Sequence, residues 1–198
     1  MPMLVALSMT LFLTTGAFAA QPLDCYYVAR PTAANREPEM SLHRNCAAVN
    51  GDGSVRILAP HLRALEFADG LATLNIKKRG WFYVRRNGRV LEVLTEDNGA
   101  DDFVEGLARG RRHGKVAFFE HSFRMVLPPT YDFAWPFENG LAMVCSGCTE
   151  KPDASDPEHH VLVDGGLWGY IDHHGKEIIP VKYSRDEALR RKELLPKR

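Results

Sequence analysis

The sequence predicts an all-β protein of repeated antiparallel hairpin or meander units, each of about 35 residues, stacked like a solenoid or curled like a barrel. Three observations carry that expectation. The hexapeptide pattern F-x-[DEN]-G-L-A occurs as Phe67–Ala72, Phe103–Ala108 and Phe137–Ala142, the copies starting 36 and then 34 residues apart. A strand-like run ending in a turn, Trp81-Phe82-Tyr83-Val84-Arg85-Arg86-Asn87-Gly88-Arg89, aligns with Trp168–Lys176 and, in degenerate form, with Val116–Arg124. The segment Val126-Leu127-Pro128-Pro129-Thr130-Tyr131-Asp132 then matches Ile178–Ser184.

Each element follows from local chemistry. Thr73–Ile76 extends Gly-Leu-Ala as a short strand, and Trp81–Arg85 mixes the aromatic and β-branched residues that suit strands. Asn87-Gly88 is a strong hairpin signal because both residues tolerate positive φ, and His174-Gly175 occupies the same place. Arg89–Leu94 is the return strand; in the last unit Pro180, which has no N–H to donate, is expected to end it. Gly70, Gly106 and Gly140 are expected at positive φ in turns. Gly53–Leu58 reads as the back half of an earlier unit, since Gly53 precedes Phe67 by 14 residues, as Phe123 precedes Phe137. One such unit buries too little to fold alone, so Phe67, Phe103, Phe137, Tyr131, Tyr170 and Trp168 are expected to be core between units. Residues 20–50 form an N-terminal segment or cap, with Cys25–Val28 a short strand and Arg30–Pro38 a loop. Residues 145–165 hold a Pro/Asp/Ser-rich insertion, expected as a surface loop. The basic tail, 185–198, could place a short helix at Asp186–Leu195 but reads first as a solvated terminus.

The stretch Trp168-Gly169-Tyr170-Ile171-Asp172-His173-His174-Gly175-Lys176-Glu177-Ile178-Ile179-Pro180 resembles the WG repeat, named for its Trp-Gly pair, and Thr130–Ala142 resembles the segment that joins such repeats. The resemblance spans residues 51–184, with Trp81, Trp168, Gly169, Tyr170, Gly70, Gly106 and Gly140 as signature positions. Two copies depart from it: Phe82 and Ala117 replace the Gly, and Val116 replaces the Trp. The resemblance implies a β-rich repeat scaffold for binding, with no general catalytic activity and no particular substrate.

Residues 1–19 have the layout of a secretory signal peptide. Met3–Leu13 is apolar but for Ser8 and Thr10, and Ala17-Phe18-Ala19 is a small-x-small cleavage site, although no Lys or Arg precedes the apolar run. An uncleaved anchor is the competing reading, disfavoured because the run is shorter than a ~20-residue span. The chain is therefore expected to be periplasmic or secreted, with no transmembrane segment after signal removal. Export favours paired cysteines, here Cys25–Cys46 and Cys145–Cys148.

Lys+Arg and Asp+Glu each total 25 of 198 residues, and this neutrality argues against a dedicated nucleic-acid binder. The 45% hydrophobic content excludes a disordered chain. No nucleophile elbow, phosphate-binding loop or zinc-protease motif occurs, so the chain reads as no enzyme, with no cofactor and no metal. Cys145-x-x-Cys148 supports an alternative, a thiol-redox or metal-binding protein, with His159 and His160 as the further ligands. The redox form lacks its usual setting, because Cys145 follows a strand rather than opening a helix. Candidate binding residues are Lys77, Lys78, Arg79, Arg85, Arg86, Arg111 and Arg112, which would form one basic face if the units stack in register. Arg89, Arg109, His113 and Lys115 belong to the same clusters. The expected partner is a protein or an anionic cell-envelope component. The competing reading of these cations is a solvated hairpin surface that protects strand edges.

Overall fold

The computed structural model describes residues 22–152 and 161–196. The signal-peptide reading of 1–19, the centre of the insertion with His159 and His160, and residues 197–198 lie outside the described residues. The chain is all-β, in four antiparallel meanders. The first is β1 (Pro22–Val28), β2 (Met40–Val49) and β3 (Val55–Ile57), followed by the short helix α1 (Ala59–Ala64). The second is β4 (Leu71–Ile76), β5 (Gly80–Arg85) and β6 (Val90–Val93), followed by the ribbon β7 (Thr95–Glu96) and β8 (Gly99–Ala100). The third is β9 (Leu107–Arg112), β10 (Lys115–Glu120) and β11 (Met125–Tyr131). After β12 (Phe133–Ala134) comes the fourth, β13 (Ala142–Pro152), β14 (Val161–Ile171) and β15 (Glu177–Tyr183), closed by α2 (Arg185–Glu193). β1 pairs with β4, which joins the first two meanders into one six-stranded, nearly closed sheet in the order β3-β2-β1-β4-β5-β6.

The half unit read at Gly53 is thus a whole meander, and the N-terminal segment supplies two of its strands. The turn after its middle strand has the same hydrogen bonds as the other three. Asn50, Arg85, Glu120 and Asp172 each donate their N–H to the residue four ahead, and the residue three ahead donates back. That last residue has positive φ in all four turns: Gly53, Gly88, Phe123 and Gly175. Only Gly88 of Asn87-Gly88 takes positive φ, so the turn is the longer type I form with a glycine bulge rather than the two-residue one expected. The two-residue type I′ turn lies instead in the hexapeptide. Asp69-Gly70, Glu105-Gly106 and Asn139-Gly140 are each a pair at positive φ, flanked by a bridge such as Ala68↔Leu71.

Strand alternation assembles the stack. Seven residues before Gly53, Gly88, Phe123 and Gly175 stand Cys46, Trp81, Val116 and Trp168, and each falls in a different buried cluster along the chain. This position faces forward, toward the next meander. Val84, Phe119 and Ile171, three residues on from Trp81, Val116 and Trp168, face back into the preceding cluster, as do Ala72, Ala108 and Ala142 of the hexapeptide. Trp168, Tyr170 and Phe137 are buried as expected, whereas Phe67, Phe103 and Tyr131 are half-buried against the core.

Further expectations are corrected. The insertion at 145–165 is not a plain surface loop: β13 runs on to Pro152 and β14 begins at Val161, paired from Cys148↔Gly165 to Pro152↔Val161, because Thr149, Val161 and Val163 are strand formers that extend the hairpin ladder. β15 does not end at Pro180: Tyr170 pairs with Ile179 and Trp168 with Tyr183, so Pro180 sits in a bulge where its missing N–H costs nothing. Pro128-Pro129 makes the same bulge in β11. The tail is helical over Arg185–Glu193, because Ser184 caps it by accepting the Glu187 N–H and the acidic residues Asp186 and Glu187 fill its first turn.

Candidate functional site

The seven candidate cations do not converge. Lys77, Lys78 and Arg79 are exposed on the β4–β5 turn, and Arg79 donates to the Gly53 carbonyl at 3.2 Å. Arg85 ends β5 and Arg86 opens the turn after it, at the opposite end of that strand from Lys77–Arg79, so the two sets do not surround one hairpin. Arg111 and Arg112 are half-buried beside the β9–β10 turn, the counterpart of the Lys77–Arg79 turn.

Several of these cations bind neighbouring parts of the protein. Arg85 donates to the His121 carbonyl at 2.9 Å and lies 5.4 Å from the Phe123 ring centre, which ties the second meander to the third. Arg111 pairs with Glu150 and donates to the Asp132 carbonyl; burial lowers its pKa, while Asp132 acts in the opposite direction. Arg112 stacks on Phe119 and Arg86 on Phe67. The Arg86–Phe67 contact belongs to a series. In each repeat the hexapeptide Phe stacks on the first residue of the following turn: Arg86 on Phe67, His121 on Phe103 at 3.9 Å, and His173 on Phe137 at 4.1 Å.

Arg109 is not part of a basic surface. It is 4% exposed and paired with Asp101, itself 1% exposed, and with Glu96, and it donates to the Ala134 carbonyl at 2.9 Å. Burial and the neighbouring Asp101 raise the Glu96 pKa against the pull of Arg109. Burial likewise raises the Tyr83 hydroxyl, which donates to the Asp101 carbonyl oxygen, to about 12. The composition of β9 gave no sign of this, since a buried Arg and a solvated one look alike until a carboxylate is placed beside them.

Both expected disulfides are present. Cys25–Cys46 joins β1 to β2 with Cα atoms 5.8 Å apart, and Cys145–Cys148 spans 6.1 Å within β13. Both sulfurs of the second pair belong to residues under 10% exposed, in the cluster beneath α2. No group of three or more His, Cys, Asp or Glu suited to a metal occurs among the described residues.

One concave feature was not read from the sequence. A groove of about 1000 Å³ lies between the forward face of the fourth meander and α2. Trp135, Met143, Tyr170 and Ile178 line the sheet side, and Leu189 and Leu195 the other. It exists because α2 covers that face incompletely. Ala188 is the one buried residue of the helix, and Arg185, Arg191 and Lys192 reach the sheet or its joining segment with charged side chains. Arg185 lies 5.6 Å from the Trp168 ring centre and 6.0 Å from that of Trp135. Arg191 is 4.0 Å above Tyr183. Lys192 bonds Glu138 at 2.7 Å and holds that carboxyl below its ordinary range. Trp135 is 37% exposed and Leu189 41%, an unusual amount of apolar surface to leave open in a concave site. The one available signal was Trp135 itself, a large aromatic in a joining segment with no counterpart in the other copies.

The model of the WG containing repeat family matches residues 118–147 and 168–185, the two stretches that carry the Pro bulges, the hexapeptide turn and the Trp-Gly strand. The chain contains WG repeats. The first match runs from within β10 through β11 and β12 into β13, and the second from the end of β14 through β15; the second meander has the same strand order and lies outside the matched residues. No curated protein and no solved structure matches the chain. Among the described residues, no helix is long and apolar enough to cross a membrane.

Proposed function

We propose that this WG-repeat protein is an exported, non-catalytic scaffold that holds a partner polypeptide in the groove between its fourth meander and α2. The half-open aromatic groove carries the reading. Every other forward face in the stack is filled by the next meander, while this one keeps Trp135, Met143, Tyr170 and Ile178 accessible beneath a mostly polar helix. Exposed aromatics of this kind act as anchors in interfaces. The exposed cations Lys77, Lys78 and Arg86 add long-range attraction for an acidic partner.

The test is a photo-crosslinking residue at Leu189, compared with one at Lys78, in cells that export the protein, together with N-terminal sequencing of the mature chain. The expected result is a discrete crosslinked polypeptide at 189, competed by Trp135→Ala, and a mature chain beginning at Ala20. No crosslink at 189 overturns the groove reading, and an unprocessed chain overturns export.

A further inference from the structure

We propose that the polypeptide held in the groove is a second copy of this chain, docked head to tail so that the stack of meanders continues from one molecule into the next; this rests on the groove reading above. Each internal junction joins the forward face of one meander to the backward face of the next. Among the described residues, four meanders in a row leave one face of each kind without a meander against it. The forward one is the groove. The backward one is the outer face of β1 and β2.

Register places the β1–β2 side chains. Tyr26 is opposite Leu42 and Val28 opposite Met40, so all four lie on one side of the sheet, while Cys25 and Tyr27 point into the core. Tyr26, Leu42 and Met40 are 37%, 40% and 48% exposed. A terminal repeat normally presents a polar outer face, because an apolar one recruits further copies or partners. Among the described residues, neither end of this stack has that cap: one presents an apolar strand pair and the other an apolar groove. The interface joins two different surfaces, so each molecule uses both, and the contact extends until a ring closes or a fibre grows.

Sedimentation and native mass measurements across micromolar concentrations, on the mature chain, give the first readout. The expected result is mass that rises with concentration beyond a dimer. Leu42→Glu damages only the strand face, and Leu189→Glu only the groove. Both positions are exposed, and thermal melts confirm that each variant is folded. Each variant alone is expected to be monomeric. An equimolar mixture forms a one-to-one dimer and nothing larger, because it offers one intact face of each kind. A wild-type chain that stays monomeric, or a mixture that does not pair, overturns the proposal. The crosslinker at Leu189 separates the two readings: capture of a different polypeptide with a monomeric wild type removes self-assembly and leaves the groove reading standing, while no capture at all removes both.

Discussion

The second and fourth meanders share a strand order but differ at one pair of features. In the fourth, β15 bulges at Pro180, and the bulge passes so close to β14 that a Cβ on Gly169 would lie 2.8 Å from the Pro180 carbonyl oxygen and closer still to that of Ile179. In the second, β6 pairs with β5 without interruption, Trp81↔Val93 through Val84↔Val90, and no proline is present. There Phe82 stands in the place of Gly169 and fills the core of the six-stranded sheet. The third meander is intermediate, with the Pro128-Pro129 bulge and Ala117. The glycine of the Trp-Gly pair is therefore the counterpart of the bulge. Where the bulge is lost, the space it occupied becomes available to a large side chain, and proline and bulge disappear together; the third meander keeps both beside an alanine.

The largest expected effect comes from giving the second meander the glycine without the bulge. Phe82→Gly leaves a cavity at a residue 2% exposed and adds backbone freedom to a strand. It should cost about 4–5 kcal/mol in chemical denaturation. A loss under about 1.5 kcal/mol, the size of a tolerated core swap, would show that the regular β6 register stands without the ring, and would break the link between them.

The converse change is smaller. Gly169→Ala puts one methyl group against two backbone carbonyls, and it should cost about 2–3 kcal/mol as the bulge is pushed away. Ala117→Gly, at the equivalent place in the third meander, removes a methyl that already fits and should cost about 1 kcal/mol. If Gly169→Ala proves as mild as Ala117→Gly, close approach of the bulge is not the reason for the glycine.

These contrasts also show what could be read in advance. The period and the hexapeptide located the meanders, because a type I′ turn demands two residues at positive φ and Asp-Gly, Glu-Gly and Asn-Gly recur at that spot. The first meander was half hidden, since Cys46 occupies the place of the repeated Trp and a disulfide to Cys25 takes over part of its packing role. Pro180 was misread because the lack of an N–H is compatible with a bulge as well as with a strand end. Arg109 was read with the surface cations, although Asp101, eight residues earlier, removes it from solvent. The groove could not be seen at all. It depends on how much of one sheet face a polar helix fails to cover, and no local pattern encodes that difference.

The junction between the third and fourth meanders has an electrostatic fastening that the second meander lacks, and pH separates the two. Asp132 bonds Lys115 at 2.7 Å and accepts the Gly147 N–H at 2.7 Å; Lys115 first, then Gly147, hold its carboxyl below the ordinary range. Gly80 stands where the second meander would need that lysine. A depressed carboxyl contributes stability that is full above its unfolded value of about 3.9 and is lost as pH falls through the lower folded value. Asp132→Asn should therefore cost about 1 kcal/mol near neutrality, a figure reduced for solvent screening of a partly exposed pair. The gap between variant and native melting should close in strong acid. A gap that stays constant with pH would assign the loss to packing.

The smallest contrast uses one substitution at two equivalent turn positions. Asp69 and Glu105 both open a type I′ turn, with φ of 49° and 51°. Asn tolerates this conformation at least as well as either of them. Asp69 is exposed, so Asp69→Asn should move stability by no more than about 0.3 kcal/mol. Glu105 sits in the less suitable conformation for a different reason. Its carboxylate accepts the Gly140 N–H at 3.1 Å and pairs with His173 at 3.0 Å, reaching from the third meander to the fourth. Glu105→Asn shortens that arm and should cost about 1 kcal/mol despite the better turn residue. Paired denaturation curves for the two variants decide the point. Equal effects would mean that the turn alone sets the residue, whereas a loss confined to Glu105→Asn would mean that the stack retains a poor turn former because its side chain fastens the next repeat.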